Sequence, residues 1–216
     1  MHVSEAVVRR KSVRQFTDEP VDDAVVRDLV ERAARAPSGG NVQPWRIYVL
    51  TSDAMTRFRS FLTDRPHDPA EYDIYPPSLW EPYRTNRFTI GEQMYATIGV
   101  GRDDKAGRLA QFSKNDDFFG APAALFCFVD RRMGPPQWSD LGMYLQTFML
   151  LAQEAGIDTC PQEYWVVRHQ SVREFVGAPD EEMLFCGMAI GHADPDAPIN
   201  ALVSVRMPLD QWATFL

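Results

Sequence analysis

The sequence lacks most of the features that assign a protein quickly. No apolar run approaches the roughly 18 residues that a membrane-crossing helix needs. The longest, "AALFCFV" and "MLFCGMAI", are strand-sized. The first residues, "MHVSEAVVRRKSVRQF", hold no apolar segment followed by a cleavage pattern, so no signal peptide is expected. Basic charge is in deficit: the net charge is −8 and the pI near 5.0, against a nucleic-acid partner. Cysteine is scarce, with three residues and no CxxC pair. Cys127 and Cys186 lie inside apolar runs and read as buried, reduced thiols, whereas Cys160, in "DTCPQE", reads as a turn and the most exposed thiol. A reducing, cytoplasmic setting is expected. The four histidines have no ligand spacing, so no metal is expected. There is no GxSxG, no GxGxxG after a strand and no GxxxxGK[ST]; "GVGRDDKAG" follows a helix with its glycines misplaced. Low-complexity tracts and internal repeats are also missing.

What remains is an ordinary globular composition. With 45% hydrophobic residues in 216, one core of normal size is expected, hence one domain over 1–216. Ser4 offers a cap to a short first helix. Asp22 caps a clearer one, with Val25, Val26, Leu29, Val30, Ala33 and Ala34 at helical spacing, stopped before Pro37. Residues 45–50 alternate as a strand, and 53–63 form an amphipathic helix. Residues 64–87 hold many prolines and aromatics with no period, and long irregular segments of this kind are often lids. Two helices are expected in "IGEQMYATIG" and "DDKAGRLAQFSKNDDFF". A buried strand follows in "AALFCFVD", then a long helix over 139–156, capped by Ser139 and ended by Gly156, apolar around much of its circumference. "TCPQEYWVV" reads as a turn leading into a strand, "SVREFVG" as a short helix and "EMLFCGMAIG" as a strand. The tail, 194–216, has little period yet ends on Leu209, Trp212, Phe215 and Leu216, which need a surface to cover them. The pattern is α+β or α/β with a small sheet.

Two stretches carry chemistry. In "RRKSVR", Arg10, Ser12 and Arg14 are two apart. In an extended segment they point the same way, and two guanidinium forks with a hydroxyl suit a phosphate. The competing reading is a solvated charge cluster at a helix end. In "APSGGNVQPW", Ser38, Gly39, Gly40, Asn41 and Gln43 offer donors, acceptors and close backbone approach to a flat heteroaromatic ring. The competing reading is a helix stop and a turn before a strand.

Taken in order, "RRKSVRQF", "APSGGNVQPW", "NDDFFGAPAALF", "GIDTCPQE" and "MAIGHADPDAPIN" with "SVRMP" resemble the motifs of the FMN-dependent nitroreductase family, over about residues 5 to 208. The resemblance implies an α+β, three-layer α-β-α fold with a small, mostly antiparallel sheet. It implies an intertwined homodimer whose C-terminal tails wrap the partner, with FMN sites at the subunit interface. Arg10, Lys11, Ser12 and Arg14 are then FMN-binding residues at the phosphate and ribityl chain, joined by Arg206 from the tail. Ser204 stands where many members have a basic residue. Pro37, Ser38, Gly39 and Asn41 are expected to approach the flavin from the other subunit, and Gln43 either to do so or to brace the turn. Pro161, Gln162 and Glu163 are expected against the flavin ring, and Asn115 at its pyrimidine edge.

The implied reaction passes hydride from NAD(P)H through flavin to an electron-poor small molecule such as a nitroaromatic, quinone or enone. No general acid is required of the protein. The segment 64–91 is longer than in compact members and becomes a candidate lid. Tyr72, Tyr75, Trp80, Tyr83 and Phe88 are available to stack on a flat acceptor, and Arg84 or Arg87 to meet a phosphate or nitro group. Equally, these aromatics read as cover for a dimer surface. Trp45 and Trp138 read as core or interface. Other activities of the same architecture, halotyrosine dehalogenation or oxygen-dependent flavin fragmentation, stay open, as does FMN storage or sensing without turnover.

Overall fold

A computed structural model describes residues 1–216. Seven α-helices surround a four-stranded sheet. The strands are β1 (Arg46–Leu50), β2 (Ala123–Asp130), β3 (Asp158–Gln162) and β4 (Glu182–Gly191), in the order β1-β2-β4-β3, and every pairing among them is antiparallel. The helices are α1 (Val3–Arg9), α2 (Asp23–Ala33), α3 (Ser52–Leu62), α4 (Tyr83–Thr97), α5 (Lys105–Ser113), α6 (Pro135–Glu154) and α7 (His169–Val176).

Strand alternation sorts the core into two layers. On β2, Ala123, Leu125, Cys127 and Val129 face one way, onto α2 and α6, while Ala124, Phe126 and Phe128 face the other, onto α3 and α7. Both faces of the central strands are therefore covered. That is why β2 and β4 read as continuous apolar runs rather than alternating ones. Cys127 pairs with Cys186 and Phe128 with Leu184, so Phe185 is an extra residue on β4, and this bulge shifts the strand's facing pattern by one. The helix α6 buries Leu141, Tyr144, Leu145, Phe148, Met149 and Ala152 along one stripe and leaves Met143 on its open side.

Several boundaries differ from those expected. The first helix starts at Val3 with His2 in the capping position, so Ser4 lies inside it. Ser139 is likewise internal: α6 begins at Pro135, whose missing N–H is tolerated at a first helical position, and the Ser139 hydroxyl donates to Pro136 O at 2.6 Å. Residues 158–168 reverse the expected order, strand first and then a 3₁₀ turn over 163–168. Pro161 is accommodated because β3 is an edge strand. Cys160 is buried, with 2% of its surface exposed, because it stands in that strand rather than in a turn. Its thiol is pushed up to about 11 by burial, against the lowering influence of Arg14, Ser12 and Arg10.

The segment 64–91 is irregular only as far as Pro82. Backbone bonds from Asp68 N to Val167 O (2.8 Å) and Glu71 N to Val166 O (3.3 Å) pin its first part. From Tyr83 onward it belongs to α4, which has no buried residue at all. Helical periodicity in a sequence is the trace of a buried stripe, and α4 has none within the chain. The tail after Gly191 carries 3₁₀ turns at Pro198–Ala201 and Leu209–Gln211 and leaves Val203, Val205, Trp212 and Phe215 mostly exposed.

Candidate functional site

Residues 10–17 leave α1 and run extended along the outer edge of β3. Ser12 bridges to Thr159 in parallel, Val13 N donates to Thr159 O at 3.1 Å, and Phe16 bridges to Ala193. Val13 is fully buried, so its neighbours Ser12 and Arg14 turn the other way. Arg10, Ser12 and Arg14 each lie near enough to the Cys160 thiol to lower its pKa, although burial outweighs them.

Asn200 holds this segment to the tail. Its side-chain oxygen accepts Arg14 N at 2.9 Å, and its amide donates to Gln15 O at 2.7 Å and Asp194 O at 3.0 Å. Lys11 is directed elsewhere, donating to Asn200 O. Arg206 lies near enough to Arg10 to lower its pKa, second to burial. The Arg206 guanidinium also donates to the Ser204 hydroxyl at 2.7 Å. None of Arg10, Lys11, Arg14 or Arg206 forms an ion pair with a carboxylate, although the chain as a whole is acidic. Arg10 is partly desolvated, and cations gathered without carboxylate partners attract anions.

Beside the arginines opens a cleft of about 490 Å³. Its lining combines Arg14 and Cys160 with Pro161, Gln162 and Glu163 at the end of β3, Asn115 and Gln111 from the region of α5, and Tyr75, Arg87, Met94 and Tyr95 opposite. Such a volume suits a ring-sized ligand. Gln162 is 3% exposed. Its amide donates to Asn115 O (3.1 Å) and Oδ1 (3.0 Å) and accepts from Trp165 Nε1 (3.3 Å), while Asn115 Nδ2 donates to Phe112 O at 2.7 Å. These bonds fix the lining and leave those two amides committed. Glu163 has a carboxyl raised above its ordinary value by desolvation, although part of the side chain still meets solvent. Behind it, Tyr164 donates to Asp116 at 2.8 Å, and Arg168 grips the same carboxylate with two bonds of 2.9 and 3.0 Å. Phe118 and Phe119 follow in left-handed backbone, φ 50° and 57°, held there by complete or near-complete burial.

Two further cavities, of about 680 and 940 Å³, adjoin the first through Tyr75 and Arg87, which line all three. The Arg87 guanidinium lies 4.2 Å from the Tyr75 ring centre. Arg84 and Phe88 line the 680 Å³ cavity, with Arg84 paired to Glu81 at 2.7 Å, and Ser204 and Arg206 line the 940 Å³ one. Trp80 and Tyr83 stack edge-to-face at 5.5 Å outside these cavities. Tyr72 is a correction to the expected lid: its ring packs on Trp138 in the core and its hydroxyl donates to Phe185 O, so it has no face to offer a ligand.

The turn containing Pro37, Ser38, Gly39, Asn41 and Gln43 lies apart from the cleft. It packs against α6, where Gly39 N points to the buried Asp140 carboxylate at 3.3 and 3.4 Å. Ser38 Oγ accepts Gln43 N at 3.0 Å, and Gln43 Nε2 donates to Asn41 O at 3.1 Å, so Gln43 braces the turn. Gly40, Asn41 and Gln43 all have positive φ, and Gly40 meets this need without a side-chain penalty. None of these residues lines the three joined cavities.

Sequence reasoning missed Asn200, Asp140, Gln111 and the Asp116–Arg168 pair. Asn200 ends the quoted "DAPIN" stretch, the only trace it left. Gln111 gave no signal, since a glutamine on an amphipathic helix reads as solvent-facing.

The fold and the site define an α+β protein with an arginine cluster on a strand edge beside an amide-lined cleft. The chain belongs to the nitroreductase family, whose model matches residues 7–192. It is 38% identical to a 4-nitrobenzoate reductase of Nocardioides sp. (strain LMS-CY), over 98% of this chain and 89% of the relative. It is 33% identical to a nitrobenzene nitroreductase of Ectopseudomonas oleovorans, over 99% and 96%. The crystal structure of the FMN and NADPH-dependent nitroreductase NfnB from Sphigopyxis sp. strain HMH superposes with a TM-score of 0.95 at 46% identity, covering 100% of this chain and 99% of that one.

Proposed function

We propose that this nitroreductase-family chain is an FMN-dependent oxidoreductase that uses NAD(P)H to reduce nitroaromatic compounds and that works as a homodimer in the cytoplasm. The observation that carries the reading is the set of unpaired cations, Arg10, Arg14 and Arg206, beside a ring-sized cleft. These residues fit FMN: a phosphate would satisfy the arginines, and the ring would lie along Pro161–Glu163. Bound there, FMN would supply the redox chemistry, taking hydride from NAD(P)H and giving it to an electron-poor acceptor.

The chain's own part is binding, orientation and exclusion of water. Over a Debye length of about 8–10 Å the arginine cluster sets the local potential despite the net charge. Asn200 keeps Arg14 in place through its backbone, and the β3–β4 pairing with Trp165 beneath keeps Pro161–Glu163 rigid. Tyr75 and Arg87 wall the cleft where the three cavities meet.

Two features favour a dimer. The turn 37–43 faces none of these cavities in its own chain, so it can reach a cleft only in a second copy. The open apolar residues of α1 (Val3, Val7, Val8) and of the tail (Val203, Val205, Trp212, Phe215) also need cover. The named relatives make nitrobenzene and 4-nitrobenzoate the first acceptors to try, and NfnB makes NADPH the first donor. The test is spectroscopic. Purified protein is expected to be yellow, to bleach on anaerobic NADPH and to recolour with 4-nitrobenzoate. A colourless protein that FMN cannot reconstitute would overturn the reading, and one that stays yellow with both NADPH and NADH would point to storage instead.

A further inference from the structure

Helix α5 is amphipathic the wrong way round at one position. Its only buried residue is Gln111, 6% exposed, while Leu109 and Phe112 of the same helix stand 67% and 51% open. The Gln111 Nε2 has no hydrogen-bond partner in the chain. An amide N–H buried without a partner costs folding about 1–3 kcal/mol. A fold that tolerates this on a helix with leucine and phenylalanine available one or two positions away is holding the donor for something else.

Gln111 lines the cleft. Three side-chain amides meet there. Those of Asn115 and Gln162 are spent on each other, on Phe112 O and on Trp165 Nε1. Gln111 alone keeps an unpaired donor, and because that nitrogen is closed to solvent its amide has to turn over to present it to the cleft. The wall contributed by α4 and α5 is otherwise Met94, Tyr95 and Phe112, interrupted by one charge, the Arg87 guanidinium, which stacks on Tyr75 and has no carboxylate partner. An apolar wall with one amide donor and one cation is the usual form of a site that orients a flat ring by its oxygens.

We propose that Gln111 selects the acceptor: its N–H donates to an oxygen of a flat, electron-poor ring, and Arg87 supplies the charge that favours rings bearing a carboxylate as well as a nitro group. The inference rests on the function proposed above and adds the residues that read the substrate. The other source of a ring oxygen in this cleft is the cofactor's own carbonyl, and the experiment separates the two.

Gln111→Leu keeps the side-chain bulk and removes the donor. Four quantities are compared with the parent protein: the melting temperature of the FMN-free protein, FMN affinity by fluorescence titration, the rate of anaerobic bleaching by NADPH, and kcat/KM with 4-nitrobenzoate and with nitrobenzene. The melting temperature is expected to hold or rise, with FMN affinity and bleaching within about twofold. The value of kcat/KM should fall at least about tenfold for 4-nitrobenzoate, mainly through KM, and less for nitrobenzene. A lower melting temperature would assign Gln111 a structural bond and overturn the proposal. Weakened FMN binding with equal losses for both acceptors would assign the donor to the cofactor, and unchanged kcat/KM would also overturn it. If the parent protein reduces no nitroaromatic, the proposed function falls and this inference with it, whereas an active parent and an indifferent Gln111→Leu sink the inference alone.

Discussion

The side-chain oxygen of Asn200 accepts the backbone N–H of Arg14 at 2.9 Å, joining the tail to the strand-edge segment that carries the arginines. Asn200 is 5% exposed and makes two further bonds, to Gln15 O and Asp194 O. Asn200→Ala would leave these backbone groups unpaired at about 1–3 kcal/mol for each that stays buried. The melting temperature is expected to fall by several degrees, since about 1 kcal/mol corresponds to 2–4 °C at this chain length. FMN affinity should fall with it, because Arg14 loses its anchor, and a fluorescence titration alongside a thermal melt checks both.

Removing the arginines should act in opposite directions on binding and on folding. Arg14→Ala is expected to weaken FMN binding by at least tenfold, the value of a charge-assisted bond of about 1.5–3 kcal/mol. Arg206→Ala should also weaken it, yet leave the FMN-free protein as stable or more so, because it relieves the repulsion felt by Arg10. An Arg206→Ala variant with a clearly lower FMN-free melting temperature would contradict this account of the cluster.

Gly187 sits across from Gln162 on the strand pairing, and a Cβ there would stand 2.2 Å from Trp165 Cδ1. Trp165 is fully buried among Phe58, Phe118 and Phe126, so it cannot step aside. Gly187→Ala is expected to destabilise by about 3 kcal/mol, at the upper end of overpacking costs, and to disturb the Pro161–Glu163 floor. Urea denaturation gives the first and FMN titration the second.

Much of this fold was legible. The strand over 123–130 and the helix capped by Asp22 were readable from burial patterns, because both faces of one and one face of the other are filled from within the chain. The start of α4 was not readable, because Tyr83–Thr97 buries nothing in its own chain and leaves no stripe. Strand β3 was misread as a turn because proline and glutamine at an edge obey hydrogen-bond geometry rather than hydrophobic pattern. In the site, Arg10, Ser12 and Arg14 were visible because extended backbone turns spacing into direction. Asn200 was not, since its partners lie up to 189 residues away.

Alkaline pH should unfold the protein before acid chemistry matters to these groups. Burial pushes the Cys160 thiol up to about 11, and the Cys186 thiol and the Tyr48 hydroxyl up to about 12. A folded-state pKa above the unfolded one means the unfolded chain loses its proton first, so the stability these groups contribute is present below pH 9 and is lost as pH rises through 11 to 12. The urea midpoint is expected to decline between pH 9 and 11. Cys160 should also resist iodoacetamide at pH 8 in the folded state, and rapid labelling there would show the thiol to be accessible.

If the 37–43 turn completes the site from a second copy, cofactor retention depends on protein concentration. Dilution below the dimer dissociation constant is expected to release FMN, and light scattering and flavin fluorescence should change over the same range. Retention by a proven monomer would remove the turn from the site.

The absence of any buried residue in α4 has an evolutionary side. Isolated helices of about this length are marginal in water, so α4 depends on what it meets outside its own core. Substitutions along it leave the packing of the two core layers untouched, yet they change Arg87, Met94 and Tyr95, which line the cleft. The fold thereby separates the residues that fill its core from the α4 residues that line the cleft. The lining that α4 gives the cleft can therefore be altered by substitution while the scaffold stays as it is.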